Sequence, residues 1–152
     1  MDQSRGIPEF GQPIAGRHYR RRPGAYAVIR DAERRVAVVR TSTGCYLPGG
    51  GSEPDESPEE TLRRETLEEC GREIQILERI GEAVEYVGAG PDGDHGLIKH
   101  GVFFAAAFGA ISRAAVEADH MLVWLRPADA ETALSNRSHA WAVRRVCVTS
   151  PT

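Results

Sequence analysis

The sequence predicts an α/β/α sandwich with a mixed, mostly antiparallel sheet, and three features of the chain support this fold class. Apolar runs rich in β-branched residues recur along the chain, as strands require. One helix with clear start and stop signals lies among them at residues 57–71. Two further helical segments follow the last apolar run. The 152 residues fit a single domain at 17–152, preceded at 1–16 by an arm that we expect to be extended or poorly ordered.

Strands are predicted at residues 24–30, 35–40, 73–87, 98–111 and 121–125. The first two are joined by a short polar turn and are predicted to pair as an antiparallel hairpin. Gly81 interrupts the third, which favours strands there over a second amphipathic helix, and residues 88–97 form a loop by composition. Helices are expected from 126 to 134 and from 138 to 148. In this arrangement the helix at 57–71 lies on one side of the sheet.

Composition and charge exclude several classes of protein. Hydrophobic residues make up 41% and charged residues 27% of the chain, as in soluble globular proteins, and no apolar run could cross a bilayer. The net charge of -3 argues against a protein that binds duplex nucleic acid, because such proteins usually present a basic face. Cys45, Cys70 and Cys147 lack metal-ligand spacing and no signal peptide is evident, so we expect reduced thiols in a cytoplasmic protein.

The helix at residues 57–71 carries its own boundary signals. Ser57 is a suitable N-cap, Pro58 fits the first helical position, and Glu60 completes a capping box with Ser57. Gly71 supplies the stop, because glycine readily takes the left-handed conformation that ends many helices. The sequence therefore predicts a helix whose ends are set by its own residues.

Three glutamates, Glu65, Glu68 and Glu69, share one side of this helix within an arc of about 100°. Carboxylates at these spacings repel one another by roughly 0.2–0.5 kcal/mol per pair, so the cluster is unfavourable unless a cation neutralises it. A hard divalent cation such as Mg²⁺ prefers oxygen ligands and would do so. The spacing therefore predicts a magnesium-binding face, at which Mn²⁺ could take the place of Mg²⁺.

This stretch resembles the Nudix box, whose pattern is G, five residues, E, seven residues, R, E, an aliphatic, any residue, E, E, any residue, G and an aliphatic. The matching residues are Gly50, Glu56, Arg64, Glu65, Glu68, Glu69 and Gly71. Thr66 and Arg72 stand where the family prefers aliphatics, and these two departures concern packing rather than metal chemistry. So many fixed positions seldom coincide by chance, and the preceding segment CYLPGG together with the surrounding strands extends the resemblance over most of the chain.

The resemblance implies a metal-dependent hydrolase that cleaves, by attack of water, the diphosphate of a nucleoside diphosphate linked to another group. It assigns Glu65 and Glu69 as the strongest metal ligands, with Glu68 as a further ligand and the Gly49 carbonyl as another candidate. The backbone of Gly49, Gly50 and Gly51 would approach both metal and phosphate. Dimers are common in the family, so a homodimer is compatible with the resemblance. The alternative is a nucleotide-binding module of the same fold that is weakly active or inactive.

Arg64 has a predicted organising role. It lies four residues after Glu60 and four before Glu68, so ion pairs along the helix are physically reasonable. The resemblance suggests instead that Arg64 pairs with Glu56 and organises the loop between them. An ordinary surface salt bridge, worth about 0–1 kcal/mol, is the competing interpretation.

A further carboxylate from outside the helix is expected, because a helix lines only one side of a metal cluster. Glu117 and Asp119 are the candidates, in a loop that leads into the strand at 121–125. Glu117 is preferred as a ligand or base for its reach, whereas Asp119 could cap or pair locally. The general base itself is left open.

Other residues have both a functional and a structural interpretation. The basic run at 17–22 could bind a phosphate or a nucleobase, but a solvated edge strand is the more common role of such a run. His95 and His100 are expected to be structural or to lie at a rim, and Trp124 is expected in the core.

Overall fold

The computed structural model describes residues 6–88, 95–111 and 119–147, which form strands and helices in the following order. The elements are β1 (Glu9–Phe10), β2 (His18–Ile29), β3 (Val36–Thr41), β4 (Gly44–Tyr46), β5 (Gly49–Gly51), α1 (Pro58–Cys70), β6 (Arg72–Val87), β7 (His95–Ile111), β8 (Met121–Leu125), α2 (Pro127–Ala133) and α3 (Arg137–Cys147). The strand at residues 73–87 and the two late helices are thus present close to their predicted bounds.

The strands form two sheets rather than one. The larger has five strands in the order β1-β6-β7-β2-β5, and the smaller has three in the order β4-β3-β8. The pairs β1–β6 and β2–β7 are parallel, while β2–β5, β6–β7, β3–β4 and β3–β8 are antiparallel. The predicted mixed, mostly antiparallel character is confirmed, although it is divided between two sheets.

The predicted hairpin of residues 24–30 and 35–40 is wrong. The turn exists, since Asp31 accepts hydrogen bonds from the backbone N–H groups of Glu33 and Arg35. Beyond the turn, however, the pairing between the two segments in the described residues is a single bridge between Arg30 and Val36. β3 then belongs to the smaller sheet and β2 to the larger one. β2 instead pairs with β7 along its whole length, from His18 to Ile29. β2 therefore forms a long parallel ladder with β7 and not the predicted hairpin with β3.

Part of the N-terminal arm is ordered against the sheet. β1 pairs in parallel with β6, and the Val84 N–H donates to the Pro8 carbonyl at 2.9 Å. The arm therefore covers an edge of the larger sheet, which would otherwise expose unpaired backbone groups.

Two hydrophobic clusters lie on opposite faces of the strands, as a three-layer sandwich requires. Val28 and Phe103 pack on one face with residues of α2 and α3. Ala27 and Phe104, their neighbours along β2 and β7, pack on the other face with Leu62 of α1. This alternation follows from the two-residue period of a strand. The predicted α/β/α arrangement is confirmed, with α1 opposite α2 and α3.

The predicted ends of α1 are present in the structure. The Ser57 side chain accepts from the Glu60 N–H at 3.0 Å, and the Glu60 carboxylate accepts from the Ser57 N–H at 2.8 Å. Gly71 ends the helix with φ 67°, in the left-handed region. Because both ends depend on local residues, they could be found without knowledge of the fold.

The two departures from the aliphatic pattern are accommodated locally. Thr66 is fully buried, and its hydroxyl donates to the Leu62 carbonyl at 2.8 Å. The Arg72 guanidinium lies 4.7 Å from the centre of the Phe108 ring and donates to the Gly109 carbonyl at 3.0 Å. Neither residue contacts the carboxylate face of α1 in these interactions.

Trp124 belongs to the core region, as predicted. It is half-buried against the cluster that includes Leu62, and its ring meets Phe108 edge to face at 5.9 Å.

The three cysteines are free thiols. No helix in the described part of the chain has the length and apolar character needed to span a membrane.

Glu85 of β6 is predicted to be a main stabiliser of α3. It is 6% exposed and accepts from the N–H groups of Arg137 and Ser138 and from the Ser138 hydroxyl at 2.7–3.0 Å. Replacing Glu85 with alanine leaves these donors unpaired, so we expect the free energy of unfolding to fall by about 2 kcal/mol in urea titrations. The exposed Glu78 on the same strand is the control, since Glu78→Ala should change it by less than about 0.5 kcal/mol. Equal effects would show that Glu85 does not cap the helix.

Candidate active site

Two carboxylates of α1 lie directly against the glycine strand β5. The Gly49 N–H donates to Glu69 Oε1 at 3.0 Å. The Glu65 carboxylate covers Gly50 so closely that a Cβ on this residue would lie 2.4 Å from Glu65 Cδ. Only glycine can therefore occupy position 50 without displacing Glu65. The structure thus brings together the two residues assigned as the strongest metal ligands and the predicted glycine loop.

These groups line a cavity of about 360 Å³. Its other walls include Tyr26, Tyr46, Leu97, Lys99 and His120. A second cavity of about 460 Å³ adjoins it, because both are lined by Arg22, Gly51 and Glu65. The first volume is within the range of small-molecule sites, roughly 300–1,000 Å³.

Arg64 joins the loop to the helix. Its Nε and Nη2 donate to the two Glu56 oxygens at 2.6 and 3.0 Å, and Nη2 also donates to the Gly51 carbonyl at 3.0 Å. The ion pair of Arg64 with Glu56 that the resemblance suggested is therefore present. Glu60 closes the capping box instead of pairing with Arg64.

The surroundings of Glu56 keep it ionised. The Arg64 guanidinium, with help from the Glu53 N–H, lowers the Glu56 carboxyl pKa to about 2. The same pair raises the pKa of Arg64 further above its already high value. The hydroxyl of Thr61, which is fully buried, also donates to Glu56 at 2.9 Å. At neutral pH Glu56 and Arg64 thus form a charged brace beside β5.

Glu68 lies on the same side of α1 but contributes less to the cavity. Its carboxylate is 3.3 Å from Arg64 Nη1, the nitrogen that is also 3.3 Å from Glu65. The exposed fraction of its side chain is 33%, against 16% for Glu65 and 8% for Glu69. Among the described residues that line the two cavities, Glu65 and Glu69 supply the helix carboxylates and Glu68 does not.

The residues present fit a divalent metal in their chemistry. Within residues 6–88, 95–111 and 119–147, no cluster of His, Cys, Asp and Glu side chains is already gathered as a coordination shell. The Arg64 nitrogen between Glu65 and Glu68 nevertheless shows that this face attracts positive charge. Carboxylate oxygens are the ligands that Mg²⁺ and Mn²⁺ prefer. The donor set is therefore suited to the cation that the sequence predicted.

The carboxylate expected from the loop before β8 is not located. Glu117 lies outside the residues that the structure describes and stays a prediction. Asp119 is described, but 62% of its side chain is exposed and its carboxylate lies 3.7 Å from His120 Nε2. Asp119 thus has the local contact that the competing interpretation expected.

Sequence reasoning missed His120 as a site residue. His120 Nδ1 lies 3.4 Å from Glu69 Oε2, and the ring lines the first cavity. The available signal was its position directly before a strand, where loop residues often reach a site. The pairing of β8 with β3 could not be read from that position.

His139 was also missed, because the sequence predicts the segment at 138–148 only as a helix and assigns it no site residue. It is 1% exposed, and its Nδ1 accepts from the Leu47 N–H at 3.1 Å, two residues before the glycine strand. Burial, with a smaller effect of Lys99, lowers the His139 pKa to about 3. The neutral His139 imidazole therefore fixes the backbone of Leu47, just before β5 begins.

His100 and the basic run at 17–22 were each predicted to have either a structural or a functional role. His100 contacts Glu82 at 2.6 Å and Arg21, which lines the second cavity, at 2.8 Å, so it is a structural residue beside the rim of that cavity. In the basic run, Arg22 is exposed, yet its guanidinium lies 3.2 Å from the position that a Cβ on Gly51 would take. The run is thus solvated in part and still reaches the glycine strand.

Most of the chain matches a known family model. Residues 20–146 match the family model described as the NUDIX domain. A MutT-like protein of Streptomyces ambofaciens is 40% identical over 58 residues, and the match covers 38% of this chain and 38% of that protein.

Solved structures share the fold. A NUDIX hydrolase from Nitrosomonas europaea aligns with a TM-score of 0.65 at 15% identity, covering 83% of this chain and 88% of that one. The dihydroneopterin triphosphate pyrophosphohydrolase of E. coli aligns with a TM-score of 0.63 at 16% identity, covering 84% and 96%. At such identities the likeness concerns the fold alone.

Proposed function

Because the chain belongs to the Nudix family, we propose that it is a pyrophosphohydrolase that requires a divalent metal and cleaves the diphosphate of a nucleoside diphosphate derivative. The observation that supports this most is the meeting of Glu65 and Glu69 with the glycines of β5 in one cavity. Carboxylates beside exposed backbone can serve a metal and a phosphate at once. We take Mg²⁺ as the cofactor, with Mn²⁺ as a substitute.

Each group in the site has a proposed task. Glu65 and Glu69 hold the metal with Glu68, and the Gly49 carbonyl and Glu117 are further candidate ligands. When bound, the metal would neutralise phosphate charge and lower the pKa of a bound water. Gly50 and Gly51 have no side chain that would keep a diphosphate away from the backbone.

Arg64 and Glu56 are proposed to position the loop rather than to touch the reacting atoms. Arg64 holds the Gly51 carbonyl, and Glu56 holds Arg64 through two hydrogen bonds. The brace keeps Gly51 fixed beside the carboxylates of α1. A substrate that binds there is therefore already oriented for the reaction.

A nucleotide-binding module without activity is the alternative. Such a module would be expected to lose carboxylates of the box, and this chain keeps Glu56, Glu65, Glu68 and Glu69. A small-molecule substrate, a cytoplasmic location and a homodimer remain part of the proposal, as does the absence of a duplex nucleic-acid partner.

The proposed function predicts turnover that depends entirely on a divalent cation. Dinucleoside polyphosphates, nucleoside diphosphate sugars, nucleoside triphosphates and capped RNA would be incubated with Mg²⁺ or Mn²⁺, and the products identified by mass spectrometry. At least one class should be hydrolysed at its diphosphate, and EDTA should lower the rate at least about 100-fold, since the carboxylates then lack their cation. Nucleotide binding without turnover under any metal would favour the inactive module.

A further inference from the structure

Two cations face each other beside the glycine strand. Arg22 on β2 and Lys99 on β7 are direct partners in the parallel ladder, and both line the first cavity. Like charges directly opposite on neighbouring strands destabilise a sheet. Arg22 accordingly adds to the effect of burial in lowering the pKa of Lys99. The fold therefore tolerates a repulsion at this position.

No carboxylate in the described part of the chain forms an ion pair with either residue. Lys99 lies over the Tyr46 ring, with its nitrogen 5.7 Å from the ring centre. Glu85, its partner on the other side in β6, uses its oxygens to cap α3. Neither cation is therefore in an ion pair with a carboxylate of the described residues, although Glu85 attracts the Lys99 ammonium and Glu65 lines both cavities beside Arg22.

The location of Arg22 connects the two cavities. Its guanidinium packs against Gly51 from one side, while Arg64 binds the carbonyl of the same glycine. The second cavity is lined by Arg20 and Arg22 and contains no aromatic residue among its described lining. The first offers Leu97 and the Tyr46 ring, which Lys99 faces on one side, and apolar and aromatic surfaces suit a nucleoside better.

We propose that Arg22 and Lys99 form an anion subsite that selects substrates with a third phosphate, so that nucleoside triphosphates are preferred over nucleoside diphosphate sugars. The inference rests on the proposed function, in which the α1 carboxylates and their metal serve the cleaved diphosphate. A terminal phosphate, like a phosphorylated side chain, carries a charge of about -1.5 to -2 at neutral pH and so matches two cations. A neutral sugar in the same place would leave the pair unneutralised.

Matched substrates with the same nucleoside test the selectivity. ATP is compared with ADP-ribose, and GTP with GDP-mannose, using Arg22→Gln, Lys99→Gln and the wild type. Each substitution is expected to lower kcat/KM at least about tenfold for the triphosphates and less than about threefold for the diphosphate sugars. Arg22→Lys should recover part of the loss, because it keeps the charge. Equal losses on both classes, or a wild type that prefers the sugars, would overturn the proposal.

Arg30→Gln is the matched control. It removes the same charge from the same chain segment, eight residues further along and roughly 26 Å away at the usual rise of a strand. Its kcat/KM values should stay within about twofold of the wild type for every substrate. A general effect of net charge would instead make Arg30→Gln resemble Arg22→Gln.

A binding measurement separates the subsite from the proposed activity. Calorimetric titration with inorganic tripolyphosphate in EDTA should show binding by the wild type and at least about tenfold weaker binding by Arg22→Gln and Lys99→Gln. Loss of binding in these variants, with no turnover of any substrate, would keep the subsite and refute the proposed hydrolase. Turnover without discrimination, and with unchanged tripolyphosphate binding, would refute the subsite and keep the hydrolase.

Discussion

Glu69→Gln is expected to lower kcat at least about 100-fold, equivalent to ~2.7 kcal/mol in the activation barrier. Glu69 is the least exposed of the α1 carboxylates and lies against both Gly49 and His120. Glutamine keeps an oxygen that can accept from the Gly49 N–H but loses the charge that a divalent metal requires. Steady-state kinetics across a range of Mg²⁺ concentrations would measure the loss.

The stability of the same variant separates a ligand from a structural residue. Removing one of three neighbouring carboxylates relieves repulsion, so the melting temperature should stay the same or rise. Glu59→Gln is the control, because Glu59 is exposed in the first turn of α1, and it should keep full activity. If Glu69→Gln instead melted much earlier and retained its turnover, Glu69 would be a structural residue.

Arg64→Lys should have the second largest effect, although it keeps the positive charge. A lysine ammonium cannot reproduce the planar fork that binds both oxygens of Glu56 and the Gly51 carbonyl together. We expect kcat to fall at least about tenfold and the free energy of unfolding to fall by about 1–3 kcal/mol, as groups lose their partners. Both would be measured on the same preparation.

Arg63→Lys is the matched control for Arg64. Arg63 is the preceding residue and donates to the Ile74 carbonyl at 3.0 Å, away from the glycine strand. Its substitution should affect stability modestly and leave kcat unchanged. Wild-type kinetics for Arg64→Lys would show that the contact with Glu56 is an ordinary surface ion pair.

Local signals explain why much of the fold could be predicted. Ser57, Glu60 and Gly71 set the ends of α1 through contacts within a few residues, so both ends can be predicted from the sequence alone. The hairpin failed for the opposite reason. Residues 24–30 are apolar on both faces because β2 is buried in the larger sheet beside β7, and sequence proximity to β3 could not reveal this competing partner.

The candidate site divides in the same way. Glu65, Glu68 and Glu69 were predictable because one helix carries them at spacings that imply a common side. Lys99 and His120 reach the cavity from β7 and from the approach to β8, and only the pairing of strands brings them there. A sequence without its topology gives no reason to place them beside the helix.

Hydrolysis in ¹⁸O-labelled water tests the central claim most directly, namely that the carboxylate face of α1 and the glycine strand direct water to a diphosphate with the aid of a metal. With Mg²⁺ and the best substrate of the panel, we predict one heavy oxygen atom in a phosphate group of a product, and at least about 100-fold slower product formation in EDTA or with Glu69→Gln. Product formed equally in EDTA, or heavy oxygen found on carbon instead of phosphorus, would contradict this account.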